Sequence, residues 1–167
     1  MNASAIVYTS NTGHTRRYAQ MLGNRVGLPV YALAEAEKLL TSGTPILYLG
    51  WLHASHVKGF DRASKRFSIR AVCGVGLCDT GTLTREVRQA TKIPDTIPLF
   101  TLQGGIDRSS LRGMDKLMIS MLTKGLSSQK ELSAQDRRML ELLQTDASYV
   151  REENLSAVLE WFEQAAP

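Results

Sequence analysis

Apolar positions along the chain fall into short, nearly continuous runs separated by longer stretches of helical spacing. Residues 5–9 (Ala-Ile-Val-Tyr-Thr) form the first run. It is short, β-branched and aromatic, as a buried strand is. Further runs follow at 29–33, 45–51, 69–75 and 97–102. Between them, apolar residues recur at three- and four-residue intervals, which predicts helices near 15–24, 35–40, 59–67 and 82–91. A last helix is expected over 151–164, where Leu155, Val158, Leu159 and Phe162 share a side. Continuous apolar strands alternating with helices predict an α/β fold whose parallel sheet is covered on both faces.

One stretch interrupts the alternation. After the fifth run, residues 103–107 (Gln-Gly-Gly-Ile-Asp) predict a turn, and roughly forty residues precede the last helix. A structureless loop of that length is foreign to a compact domain. Leu111, Met114, Leu117, Met118, Met121 and Leu122 instead make one broad apolar stripe, with Gly125 as its expected stop. Ser133 and Asp136 then form a capping-box-like start for a second helix containing Met139, Leu140, Leu142 and Leu143. Residues 107–144 are therefore expected to be a helical insertion within a single domain spanning 1–167. There is no internal repeat, low-complexity tract or flexible linker.

Composition narrows the class. With 167 residues, 43% hydrophobic and 22% charged, the chain is that of an ordinary globular domain. No apolar run approaches the roughly 18 residues of a membrane helix. The first four residues lead straight into a strand-like run without a signal-like core, so a cytoplasmic location is expected. Cys73 and Cys78 are too few for a disulfide framework or a zinc site. The net charge of +4 is unevenly spread. Residues 1–106 hold 12 Lys and Arg against 6 Asp and Glu, and residues 107–167 hold 8 against 10. No basic run is long enough for a nucleic-acid arm, so none is expected as a partner.

Candidate chemistry begins immediately after the first strand, at Ser10-Asn11-Thr12-Gly13-His14-Thr15. A strand that turns sharply into a helix leaves the first helical N–H groups without intrahelical partners, at the positive end of the dipole. Such a turn suits a phosphate, with hydroxyls as added donors and glycine allowing close approach. The same residues also read as a hydroxyl-rich helix cap with no ligand. The turn lacks the Gly-Lys-Ser/Thr ending of a Walker loop and the three glycines of a dinucleotide fingerprint. A phosphate monoester held by backbone and hydroxyls fits better.

This turn resembles the [Ser/Thr]-x-Thr-Gly-x-Thr phosphate loop of the flavodoxin superfamily. The resemblance implies a flavodoxin-like fold with five parallel strands in the order 2-1-3-4-5. It also implies non-covalent FMN, contacted by loops after strands one, three and four. The second loop is then Gly50-Trp51-Leu52-His53-Ala54-Ser55-His56, where Trp51 would stack on the flavin and His53 meet its polar edge. The alternative is that Trp51 packs into the core. The third is Gly74-Val75-Gly76-Leu77-Cys78, whose glycines would bring backbone N–H groups to the ring. Here the usual aromatic residue of flavodoxins is replaced by Val75 or Leu77.

The insertion, with Gly104-Gly105-Ile106-Asp107 followed by Leu111 and Met114-Asp115-Lys116-Leu117-Met118-Ile119, resembles the flavodoxin-type protoporphyrinogen dehydrogenases. That resemblance implies electron transfer between a tetrapyrrole and a membrane quinone, with Arg108, Arg112 and Lys116 receiving the anionic substrate or touching a membrane surface. The plainer alternative is that the helices cover a sheet edge. The basic group Lys58, Arg62, Lys65 and Arg66 reads as a solvated helix face or as a docking face for an acidic redox partner. No acid, base or nucleophile constellation is evident, so the chemistry expected is the flavin's. The competing expectation is a flavin-less sensing or protein-interaction domain that keeps the fold.

Overall fold

A computed structural model describes residues 3–107, 109 and 113–164, with the backbone alone at Met114 and Asp115. The order of elements is β1 (Ala5–Thr9), α1 (His14–Val26), β2 (Val30–Ala32), α2 (Leu33–Leu39), β3 (Pro45–His53), β4 (His56–Val57), α3 (Phe60–Arg66), β5 (Ser68–Gly76), α4 (Thr84–Thr91), β6 (Leu99–Gln103), β7 (Gly105–Ile106), α5 (Gly113–Ser127), α6 (Ala134–Gln144), β8 (Ala147–Ser148) and α7 (Ser156–Gln164).

Five strands run parallel in the order β2-β1-β3-β5-β6. The short β4 folds back antiparallel on the end of β3. Counting the five parallel strands alone, this is the expected 2-1-3-4-5 order, and the α/β architecture is compatible with a flavodoxin-like fold. In register, Val7 lies beside Tyr48, Tyr48 beside Val72, and Cys73 beside Phe100.

Period-two alternation explains why the strands are largely apolar. Ile6, Leu47, Leu49, Ala71, Cys73 and Val75 enter one core with Tyr18, Ala19 and Leu22 of α1 and Val158 of α7. Ala5, Val7, Ile46, Tyr48 and Val72 enter a second core with Ala36 of α2, Phe60 and Ala63 of α3, and Val87 of α4. Both faces are buried, so both sets of alternate positions are mostly apolar, Arg70 of β5 and Thr101 of β6 being polar exceptions.

Two expectations at the insertion need correction. Gly125 does not end α5, which continues to Ser127. Gly125 is absent from the residues with positive φ, and a helix stops at glycine only where the left-handed conformation is used. Residues 103–107 are not simply a turn. Gly105 and Ile106 form a strand that pairs antiparallel with Ala147 and Ser148, on the far side of the two helices. The Ser133 cap is as expected: Asp136 N–H donates to Ser133 Oγ at 3.1 Å, and the hydroxyl donates to Asp136 Oδ2 at 2.6 Å.

Candidate functional site

A cavity of about 440 Å³ lies beyond the carboxyl ends of β1, β3, β5 and β6. In an open parallel sheet this is where ligands bind, at the point where strand order reverses. Here the reversal is between β1 and β3.

The polar end of the cavity is the turn between β1 and α1. Gly13, at φ 91°, is the N-cap of α1, a backbone state that disfavours a β-carbon. The N–H groups of Gly13 and Arg16 both donate to Ser10 Oγ, at 3.2 and 3.4 Å. The Ser10 hydroxyl thus closes the turn from within. Thr12 Oγ1 and His14 Nδ1 are hydrogen-bonded at 2.9 Å. The first turn of α1 contains no acidic residue, and Arg17 donates to Ser148 Oγ at 3.0 Å. Positive dipole and positive side chains together favour an anion here. Burial lowers the His14 pKa, Arg17 lowers it further, and Asp107 opposes them.

The turn is anchored from below. Buried Tyr18, on the next turn of α1, donates its hydroxyl to the Gln103 carbonyl at 2.5 Å. Asn154 Nδ2 donates to the same hydroxyl at 2.6 Å and to the Tyr149 carbonyl at 2.9 Å. The Tyr149 N–H donates to the Gly104 carbonyl at 2.7 Å, and the Gly104 N–H to Gly76 at 2.7 Å.

A second wall is the β3–β4 hairpin. Trp51, Leu52, Ala54 and Ser55 line the cavity. His53 pairs with His56, so Ala54 and Ser55 are the two turn residues, at φ 47° and 63°. A two-residue turn with both φ positive favours Asn-Gly, so Ala-Ser carries strain of roughly 1 kcal/mol or more per residue. Trp51 stacks on His53 at 5.7 Å, and Lys58 Nζ lies 5.9 Å from the Trp51 ring centre. Trp51 is neither in the core nor fully exposed.

The loop after β5 supplies Val75, Gly76, Leu77 and Cys78. It is tied to β6 by Gln103 N–H donating to Thr80 Oγ1 at 3.0 Å and by Thr101 Oγ1 donating to the Thr82 carbonyl at 2.6 Å. The Cys78 pKa is raised, first by burial and then by Asp79, so the thiol stays protonated near neutrality. Above the cavity, Met118, Ile119 and Leu122 of α5 and Met139 of α6 form an apolar roof.

Of the expected site residues, Asn11, Thr12, His14, Thr15, Trp51, Leu52, Val75, Gly76, Leu77 and Cys78 come together around the cavity. Ser10 and Gly13 shape the turn behind it. Gly50 is elsewhere: a β-carbon there would stand 2.5 Å from Val57 Cγ1 and 2.7 Å from the Lys58 carbonyl oxygen. Its lack of a side chain admits the β4 hairpin. Gly74 and Gly76 both accommodate Leu52, whose methyls would lie 2.8 and 2.9 Å from added β-carbons. His53 lines a separate groove along α5, with Leu117 and Met121.

Arg108, Leu111 and Arg112 lie outside the described residues, as does the side chain of Met114; Lys116 is exposed on α5. Within the basic group, Arg62 forms a bidentate pair with Glu37, and Arg66 donates to the carbonyls of Glu37 and Leu40. Those two cations hold α2 in place.

Sequence reasoning missed Thr82 and Leu83 as lining residues, whereas Ala54 and Ser55 fall within the expected second loop. No turn signal marks Ala-Ser as a hairpin tip. Among the described residues, no cluster of His, Cys, Asp and Glu is arranged to hold a metal ion, and no helix is long and apolar enough to cross a membrane. Compared with protein-family models, curated proteins and solved structures, the chain gives no match.

Proposed function

We propose that the chain is an FMN-binding flavodoxin-like protein acting in electron transfer or flavin-dependent oxidoreduction. One observation carries this reading. The hydroxyl-rich turn of residues 10–15 opens into a cavity of about 440 Å³ at the switch point of the sheet, with Trp51 on one wall. A phosphate at one end and a flat, mostly apolar ring system beyond it match that division of chemistry. The turn would hold the phosphate, and Trp51, Leu52 and residues 75–78 would surround the ring. FMN supplies one- and two-electron redox chemistry when bound, and the chain's residues bind it, orient it and limit its exposure to water.

The roof favours an oxidoreductase over a simple carrier. Met118, Ile119, Leu122 and Met139 extend apolar contact beyond the turn and loops, toward a second flat substrate. A dehydrogenase resembling the protoporphyrinogen type, passing electrons to a quinone, is the sharper form of this reading. A flavin-less interaction domain is favoured by a different fact: the Ser10 hydroxyl already accepts from two N–H groups of the turn.

The test is the absorption spectrum of the purified protein, followed by mass analysis of what denaturation releases. A yellow protein releasing a monophosphate flavin is expected. A colourless protein that takes up no added FMN rejects the reading. With flavin bound, porphyrin fluorescence from protoporphyrinogen and a quinone, above the uncatalysed rate, separates dehydrogenase from carrier.

A further inference from the structure

The apolar stripe of α5 continues past the cavity. Met118 and Leu122 line the cavity and also a groove of about 650 Å³, which Leu117, Met121 and Gly125 extend along the same helix. His53 of β3 lines the groove as well, and it stacks on Trp51, which lines the cavity. The two spaces therefore share side chains of α5 and are bridged by a stacked ring pair from the β3–β4 hairpin.

Gly125 has no explanation within the chain itself. Glycine is a poor helix former. Its φ here is not positive, α5 runs on to Ser127, and an added β-carbon would meet nothing within 4 Å. Neither backbone conformation nor internal packing requires it. Its missing side chain instead leaves a recess in the groove, one helical turn beyond Met121.

We propose that this groove is a second ligand site, taking a flat, uncharged aromatic molecule with one hydrogen-bonding edge. Its role as the site of the oxidoreductase's second substrate rests on the flavin reading of the cavity; its binding does not. The lining selects that class. Among the described residues, no Lys, Arg, Asp or Glu lines the groove, so a charge carried into it would lose water without gaining a partner. The thioethers of Met118 and Met121 adapt to a ring and contact it favourably. His53 and Gln129 supply polar groups for a single edge. An apolar space of this size with few polar groups suits a small molecule. A bilayer or a second copy of the chain would rest on exposed Leu117 and Met121 and leave the recess at Gly125 unfilled.

The methionines report the two spaces separately. Met121 lines the groove, Met139 the cavity, and Met118 both. Naphthol, a flat ring with one hydroxyl, is titrated into protein with isotope-labelled methionine methyls. It is expected to shift Met121 and Met118 and to leave Met139 in place. Added FMN is expected to shift Met139 and Met118 without displacing naphthol. Gly125→Leu fills the recess and is expected to weaken naphthol about tenfold or more without lowering the melting temperature. Naphthol shifts confined to Met139, displacement by FMN, or unchanged affinity in Gly125→Leu overturns the site. The same ring bearing a sulfonate is expected to bind about tenfold more weakly, and equal affinity overturns the uncharged class. Vesicle binding or self-association through Leu117 and Met121, with no naphthol shift, gives this face to a membrane or a second copy and overturns the proposal. Naphthol binding in a protein that takes up no FMN keeps the site and rejects the flavin reading; FMN uptake without naphthol binding does the reverse. The wild-type methyl shifts decide the site even if the variant fails to fold.

Discussion

The two sides of the cavity are held in different ways. On the sheet side, the turn of residues 10–15 rests on α1, whose Tyr18 is buried and bonded to Gln103 and Asn154. The Tyr18 links are directed bonds between elements far apart in sequence. On the roof side, α5 leaves Leu117, Met121 and Leu122 at 53%, 65% and 48% exposure. Its partner α6 is capped by its own Ser133 and meets the loop after β5 through an exposed Arg138–Asp79 pair at 3.9 Å. Such a pair contributes little. The comparison teaches that the anion end is part of the folded core, whereas the roof is an attachment fixed where β7 meets β8 and by the buried Leu143 of α6.

The largest expected effect follows from that attachment. Gly105→Ala sets a β-carbon 2.0 Å from the Ala147 carbonyl oxygen, which is backbone and cannot rotate away. The β7–β8 pair must separate, and the substitution is expected to cost about 3 kcal/mol, read as a lowered urea midpoint. Limited proteolysis should then cut residues 113–144 before the sheet. Simultaneous loss of sheet and roof would break the distinction between the two walls.

His14 belongs to the core side, and its titration gives a smaller effect. Its pKa is lowered in the folded protein from the ordinary 6.5, by burial and by Arg17, with Asp107 working against them. The unfolded chain therefore binds more protons in the window just below 6.5. Stability is present above that value and is lost as pH falls through the window toward the folded pKa. The melting temperature of wild type is expected to fall more steeply between about pH 7 and pH 5 than that of His14→Asn, which cannot titrate. Parallel pH profiles would remove His14 from the acid response.

The sheet was the most legible part of the chain. Residues 5–9 coincide with β1, and the other parallel strands are found within two residues of the apolar runs at either end. Burial on both faces removes most polar positions, so short continuous runs alternating with helical spacing mark such strands. The helices of the insertion were also visible, through the stripe on α5 and the Ser133 box. What those helices face was not, because periodicity reports an apolar side but names no partner for it. The β3–β4 hairpin was hidden for a second reason. Its tip is Ala54-Ser55 rather than Asn-Gly, and the space it needs comes from Gly50 across β3. Gly50, Gly74 and Gly76 illustrate the same limit at the site. Sequence marks where a side chain is missing, and only the fold tells whether a ligand, Val57 or Leu52 takes the room.

The smallest expected effect is the one that bears most directly on the roof. Leu117 and Met121 lie on α5 beside the groove that His53 lines, and both are more than half exposed. Exposed side chains lose little buried area on truncation, so Leu117→Ser with Met121→Ser is expected to change unfolding free energy by no more than about 0.5 kcal/mol. Leu122 differs, since it is half exposed yet also lines the cavity. Leu122→Ala should leave the melting temperature nearly unchanged while weakening added FMN several-fold, because part of the apolar roof is lost from the site alone. Isothermal titration and thermal melts on the same samples separate the two quantities. A loss of stability near 2 kcal/mol in the Leu117/Met121 double variant would show that α5 packs as core, and the division between the two walls would then fail.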